Sequence, residues 1–134
     1  MALIEWNSTL SVKVKQFDEH HQILVTAMNR LHDAMLKDQG RTVLSDLLGE
    51  LADYAEFHFT AEEGAMERTE FPRLDAHRIE HKLFIEKIET FQHDLAANRC
   101  NPTFVFRCLA EWLAHHIKET DQQYSGHLNA HGIS

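Results

Sequence analysis

The stretch LDAHRIEHKLFIEKIETFQHDL, residues 74–95, decides the fold. Leu74, His77, His81, Phe84, Ile88, Phe91 and Leu95 recur in unbroken three-four alternation. That spacing keeps one stripe of side chains on one face of a helix, the pattern of a helix packed lengthwise against others. Two positions of the stripe hold histidine where a plain bundle would place Leu or Ile.

The same seam recurs on both sides of this helix. Phe17, Leu24, Met28, Leu31 and Met35 keep the spacing upstream, with His21 filling the gap. Leu44, Leu47, Leu51 and Tyr54 lead on to His58, and Val105, Leu109 and Trp112 lead on to His116. Gly40, Pro72 and Pro102 divide these segments, and Asn101-Pro102 reads as an N-cap followed by proline at the first helical position. The expected helices are residues 18–38, 42–66, 74–97 and 102–128. Residues 1–16 alternate weakly through Leu10, Val12 and Val14 and predict an extended N-terminal arm. The expected fold is all-α, an up-down-up-down four-helix bundle in one domain of residues 1–134.

Composition agrees. The 134 residues include five Gly and two Pro, where average usage would give about 16 together, so long helices have few interruptions. Lys and Arg number 13 against 21 Asp and Glu, a formal charge of −8, which speaks against nucleic acid as a partner because phosphate binding needs a basic face. No run approaches the length of a membrane span. The first ten residues, MALIEWNSTL, lack the basic start and apolar run of a secretory signal, so a cytoplasmic location is expected. Cys100 and Cys108 are too few for a disulfide framework or a thiolate zinc site. Cys108, one turn before Trp112, is expected to be buried, and Cys100, near a loop, to be exposed.

The remaining anomaly is histidine, with 11 in the chain. His21, His58, His77, His81 and His116 all fall on seams, and every helix contributes at least one. Five buried imidazoles without partners would cost about 1–3 kcal/mol each, against a net stability of about 5–15 kcal/mol. A metal compensates, since neutral imidazole is the commonest metal ligand. His58 and Glu62 lie one turn apart on one face, as do His77 and His81. His116 and Asp121 are five residues apart, so they converge only where the helix is distorted, for example by a π-bulge. Seven side chains, five imidazoles and two carboxylates, exceed what one ion takes and point to two ions bridged by the carboxylates. A nitrogen and oxygen donor set without sulfur suits iron, with manganese or zinc as alternatives.

Taken in order, FDEHH, HFTAEEGAME, FPRLDAHRIEH and WLAHHIKETD resemble the signature of the bacterial haemerythrins, from Trp6 to about Tyr124. The resemblance implies reversible O2 binding at a non-haem di-iron centre with an oxo or hydroxo bridge. By that likeness His77, His81 and His116 hold one iron, His21 and His58 the other, and Glu62 and Asp121 bridge them. The second iron is then one ligand short and offers its open position to O2. The resemblance also implies an O2 pocket walled by Leu24, Trp112, Leu113 and Ile117. Glutamine is common in the family where this chain has His20. The direction of His20, about 100° from the seam, predicts a place on the surface or against the arm, and His115 is off the seam likewise. His32, His93, His127 and His131 fall in no motif and are expected to be solvated or partly exposed.

Three functions fit such a site. The first is O2 storage, delivery or scavenging, without enzymatic turnover. The second is O2 or redox sensing as the input to a signalling domain in a longer chain. The third is a di-iron oxidase, which the imidazole-rich donor set disfavours because such enzymes use carboxylate-rich sites.

Overall fold

A computed structural model describes residues 6–134. Four antiparallel legs form the bundle: α1 (Lys15–Leu36), α2 (Gly40–Arg68), α3 (Leu74–Ala96) and α4 (Pro102–His115). The fourth leg continues through a π-helical turn, His116–Thr120, into α5 (Gln122–Ala130). α1 packs against α2 and α4, and α2 packs against α3. No strand occurs among the described residues, and no helix among them is long and apolar enough to cross a membrane.

The start of α1 falls three residues earlier than the seam predicts, and the chain before it is tied to the first turn. Asp18, in the first turn, accepts from the Val12 amide at 2.8 Å and from the Ser11 hydroxyl at 2.6 Å, and its charge suits a helix N-terminus. At α4 the expected cap is present. The Asn101 side chain accepts from the Thr103 amide at 2.9 Å, and Pro102 occupies the first turn.

Gly40 proves to be the first residue of α2 rather than a breaker. A Cβ there would meet the Met35 and Pro102 side chains at 3.0 and 3.2 Å, so the glycine permits a close approach of three segments. The turns between helices are made without glycine. Asp38, Glu70 and Asn98 take φ of 56°, 55° and 57°. Beyond them the amides of Gln39, Phe71 and Arg99 return to the carbonyls of Ala34, Met66 and Asp94 at 2.7, 2.9 and 2.8 Å. This is the Schellman closure, which usually takes glycine in the left-handed position.

The core has two parts. One fills the long interior with Leu24, Met28, Leu44, Leu47, Leu51, Phe84, Ile88 and Leu109 among others. The other gathers Val12, Val14, Phe17, Met66, Phe71, Tyr124 and Leu128 at one end. The arm, as far as it is described, is a short 3-10 turn at Ser8–Leu10 followed by chain that bends at Lys13, where φ is 61°. Its residues 1–5 lie outside the described residues. Ser125 and Gln122 donate to the carbonyls of Val12 and Ser11 at 2.6 and 2.9 Å, which ties the arm to α5.

The two cysteines reverse the expectation: Cys100 is buried and Cys108 only half-buried. The turn before α4 folds inward, where Arg41 donates to the Cys100 carbonyl at 3.0 Å.

Candidate metal centre

The buried histidines lie where the two parts of the core meet. Phe59 stacks on His81 with ring centroids 3.8 Å apart, and Trp112 on His116 at 4.4 Å. From the other part Phe17 meets His58 edge-on at 5.9 Å, and Tyr124 lies 5.7 Å from His77. All five seam histidines, with Glu62 and Asp121, are at most 2% exposed. α1 supplies His21, α2 supplies His58 and Glu62, α3 supplies His77 and His81, and the fourth leg supplies His116 and Asp121.

The π-helical turn brings the last pair together. The Asp121 amide bonds the His116 carbonyl, five residues back, at 2.8 Å, so the turn takes up one extra residue and Asp121 faces inward with His116. Asp121 Oδ1 lies 3.0 Å from His116 Nε2 and 2.8 Å from His77 Nε2. Asp121 Oδ2 lies 3.0 Å from His21 Nε2. Glu62 Oε2 lies 3.4 Å from His21 Nε2 and 3.3 Å from His58 Nε2, and its Oε1 is 3.2 Å from His81 Nε2.

Most of the atoms in these short contacts are not satisfied by hydrogen bonds of good geometry. His21 Nε2, His58 Nε2, Glu62 Oε1, His77 Nε2 and both Asp121 oxygens are buried without a hydrogen-bond partner. Buried polar atoms seldom stay unpaired, at about 1–3 kcal/mol each. The donor atoms instead form two groups, each within 4.8 Å of one another: Glu62, His77, His81, His116 and Asp121, and His21, His58, Glu62 and Asp121. Glu62 and Asp121 belong to both. A donor set of this kind fits two divalent ions bridged by two carboxylates.

Electrostatics without metal follow from burying two carboxylates among imidazoles. Burial opposes the charge on His21, but Asp121 and Glu62 outweigh it and raise its pKa to about 9. His116 rises to about 10 against its burial, again through Asp121. Burial would raise Glu62 and Asp121, yet the surrounding histidines hold both well below the ordinary carboxylate range.

Around this cluster stands a layer that the seam pattern does not reveal. Glu63 Oε2 lies 2.7 Å from His81 Nδ1, and Glu63 also bonds Arg78 at 3.2 Å. Glu80 Oε1 lies 3.1 Å from His116 Nδ1 and accepts from the Thr120 hydroxyl at 2.9 Å. The Tyr124 hydroxyl donates to Glu62 Oε2. Burial first, then Glu62, pushes the Tyr124 pKa well up, so the phenol keeps its proton. Glu63 directly follows Glu62, and Glu80 is three residues after His77, so both sit on ligand-bearing helices; only the three-dimensional arrangement shows which imidazole each meets.

His20 is the correction. It is neither on the surface nor against the arm but 8% exposed, with its Nδ1 2.8 Å from His58 Nδ1. Tyr54 and Phe57 flank its ring at 5.9 and 5.3 Å. Burial, and then His58, lower its pKa. His20 does point away from the seam, but α2 approaches α1 closely enough to cover that side. His115, His93 and His131 are exposed and His32 and His127 half-buried, as expected. Leu24, Leu113 and Ile117 are buried and Trp112 half-buried, all within the larger part of the core.

The family profile described as "Hemerythrin HHE cation binding domain" matches residues 12–128. The chain belongs to the hemerythrin family. It is 30% identical to the bacteriohemerythrin of Stenotrophomonas maltophilia over 98% of this chain and 85% of that one. With the myohemerythrin of Theromyzon tessulatum it shares 29% identity, over 92% of each chain. A solved structure of wild-type hemerythrin superposes with a TM-score of 0.86 at 26% identity, covering 95% of this chain and 98% of that one. The hemerythrin match thus covers the whole described cluster, including the π-helical turn.

Proposed function

We propose that this hemerythrin binds O2 reversibly at two iron ions held between its four legs, as a single domain that stores, delivers or scavenges O2 without turnover. His77, His81 and His116 would hold one ion and His21 and His58 the other, with Glu62, Asp121 and an oxo or hydroxo group shared. The ion pair, when bound, supplies the two electrons that O2 takes up on binding and returns on release.

One observation carries this reading: two overlapping groups of buried, unpaired donors share Glu62 and Asp121. One group has three imidazoles and the other two, so the two-histidine position has a place to spare for a small ligand. Apolar residues within a helical turn of His21 and His116 would help to keep the cluster dry. Leu24, Leu113 and Ile117 are each at most 2% exposed, and Trp112 covers His116 face to face. An apolar wall withholds the protons that would drive loss of bound ligand.

Two free cysteines accord with a reducing cytoplasm.

The test is reconstitution with ferrous iron under argon. Two irons per chain are expected, with an optical change that appears under O2 and reverses under argon through several cycles. Stoichiometric zinc in the native protein, a single iron, or no optical response to O2 would overturn the proposal.

A further inference from the structure

The two metal positions are supported unequally. In the three-histidine group, His81 Nδ1 faces the Glu63 carboxylate at 2.7 Å and His116 Nδ1 faces the Glu80 carboxylate at 3.1 Å, while His77 Nδ1 is buried without a partner. In the two-histidine group, His58 Nδ1 faces only a neutral ring, His20 Nδ1 at 2.8 Å, and His21 Nδ1 is buried without a partner.

Two nitrogens this close share one proton. His58 offers Nε2 to the metal group, so its proton sits on Nδ1 and is donated to His20. His20 must then accept through a bare Nδ1, which puts its own proton on Nε2. A ligand imidazole that donates to a carboxylate becomes more basic and binds metal more tightly, and partners in this layer are typically worth about 10–100-fold in metal affinity. A neutral imidazole acceptor orients the ring but adds no negative charge.

We infer that His20 is a positioning residue for His58 and makes the two-histidine position the weaker, more exchangeable of the two. The inference rests on the two-ion reading above. It assigns to His20 the task of fixing the His58 tautomer and ring plane, with Tyr54 and Phe57 holding His20 in place. The two positions therefore fill in order, the carboxylate-backed one first.

The experiment titrates the metal-free full chain with Zn²⁺ and follows imidazole N–H signals by ¹⁵N-edited NMR. The first equivalent is expected to move the His81 and His116 signals, and the second the His58 signal. His20→Leu removes the acceptor and should weaken the second affinity about 10–100-fold, leave the first within about twofold, and lose the downfield His58 Nδ1–H signal. His20→Gln restores an acceptor oxygen and should recover the second affinity. His20→Glu should raise it above the parent. A second affinity unchanged in His20→Leu, or both affinities falling by the same factor, overturns the role. If His20→Leu does not fold, equal second affinities in His20→Gln and His20→Glu overturn it instead. A parent that never takes a second ion would count against the two-ion reading itself, which is a distinct result.

Discussion

Asp121 stands five residues after His116, yet its Oδ1 lies 3.0 Å from His116 Nε2. In a regular helix those side chains would diverge by about 140°. The π-helical turn removes the divergence by holding one residue more than an α-turn. Lys118 and Glu119, in the middle of it, are exposed, so the extra residue adds nothing to the core.

This predicts an asymmetry between deletion and insertion. Deleting Lys118 should turn the segment into an ordinary helix with Asp121 still one turn from His116, and the protein should keep two metals per chain. Inserting an alanine after Lys118 should swing Asp121 away by about 100° and abolish binding at both positions. Metal analysis of the two variants decides the matter; loss of metal in the deletion would show that the turn does more than absorb a residue.

Glu62 belongs to both donor groups and His21 to one. Glu62→Ala should therefore empty both positions, whereas His21→Ala should leave about one ion per chain. Equal metal content in the two variants would contradict a shared role for Glu62. In Tyr124→Phe the carboxylate keeps its ligand role but loses a buried donor. That should cost about 1–3 kcal/mol of stability in the metal-free protein, measured by urea unfolding, with metal content retained.

The metal-free protein should be most stable in a mildly acidic window. His21 and His116, with folded pKa values of about 9 and about 10 against an ordinary 6.5, contribute stability that is complete below pH 6.5. That contribution fades as pH climbs to 9 and 10. Glu62 and Asp121, held low in the fold, contribute above their ordinary values of 4.5 and 3.8 and lose it as pH falls further. Urea midpoints across pH should peak between these limits. Metal loading at pH 7 should also release protons from His21 and His116, because a ligand imidazole must be neutral. Calorimetry in buffers of different ionisation heat would detect the release, and its absence would refute the assignment.

Much of the site was legible because burial and chemistry coincide there. A histidine in place of Leu on a seam is visible in one dimension, and so is the need for a distorted helix between His116 and Asp121. The structure buries all five seam histidines and places a π-helical turn before Asp121, within the expected bundle. What periodicity could not reach were contacts between faces of different helices. His20 points away from the seam of α1, and only the approach of α2 buries it; Glu63 and Glu80 likewise look like ordinary solvated acids. The C-terminal helix ends fell within two residues of those expected, but the backbone that closes them was not legible. Asp38, Glu70 and Asn98 occupy left-handed positions that a search for glycine passes over.

Those turns offer a test of their own. A side chain in the left-handed region costs roughly 1–2 kcal/mol, part of which glycine returns through its greater freedom when unfolded. Glu70 is exposed and lies outside both donor groups. Glu70→Gly should raise stability by a few tenths to about 1 kcal/mol without changing metal content. A loss of stability would mean that the Glu70 side chain contributes more than its backbone strain costs.

Leu113 and Ile117 flank His116 on the fourth leg, and both are almost completely buried. Shortening one opens space beside the metal group, and water that enters carries the protons the wall now withholds. Leu113→Ala should therefore speed the irreversible oxidation of the reduced, iron-loaded protein in air, while the iron content stays at two per chain because no donor has changed. The cavity itself should cost about 2–5 kcal/mol of stability, so Ile117→Val, at about 0.5–1.5 kcal/mol, provides a milder second case. Stopped-flow mixing with O2, followed optically to the fully oxidised end point, gives the rate in each variant. Faster oxidation that follows the volume removed, and not the stability lost, would mark the wall as a barrier to water. Unchanged rates in Leu113→Ala, Ile117→Val and Trp112→Phe together would reduce these residues to core packing, and the protection would then fall to Phe17 and Tyr124 on the opposite side of the cluster.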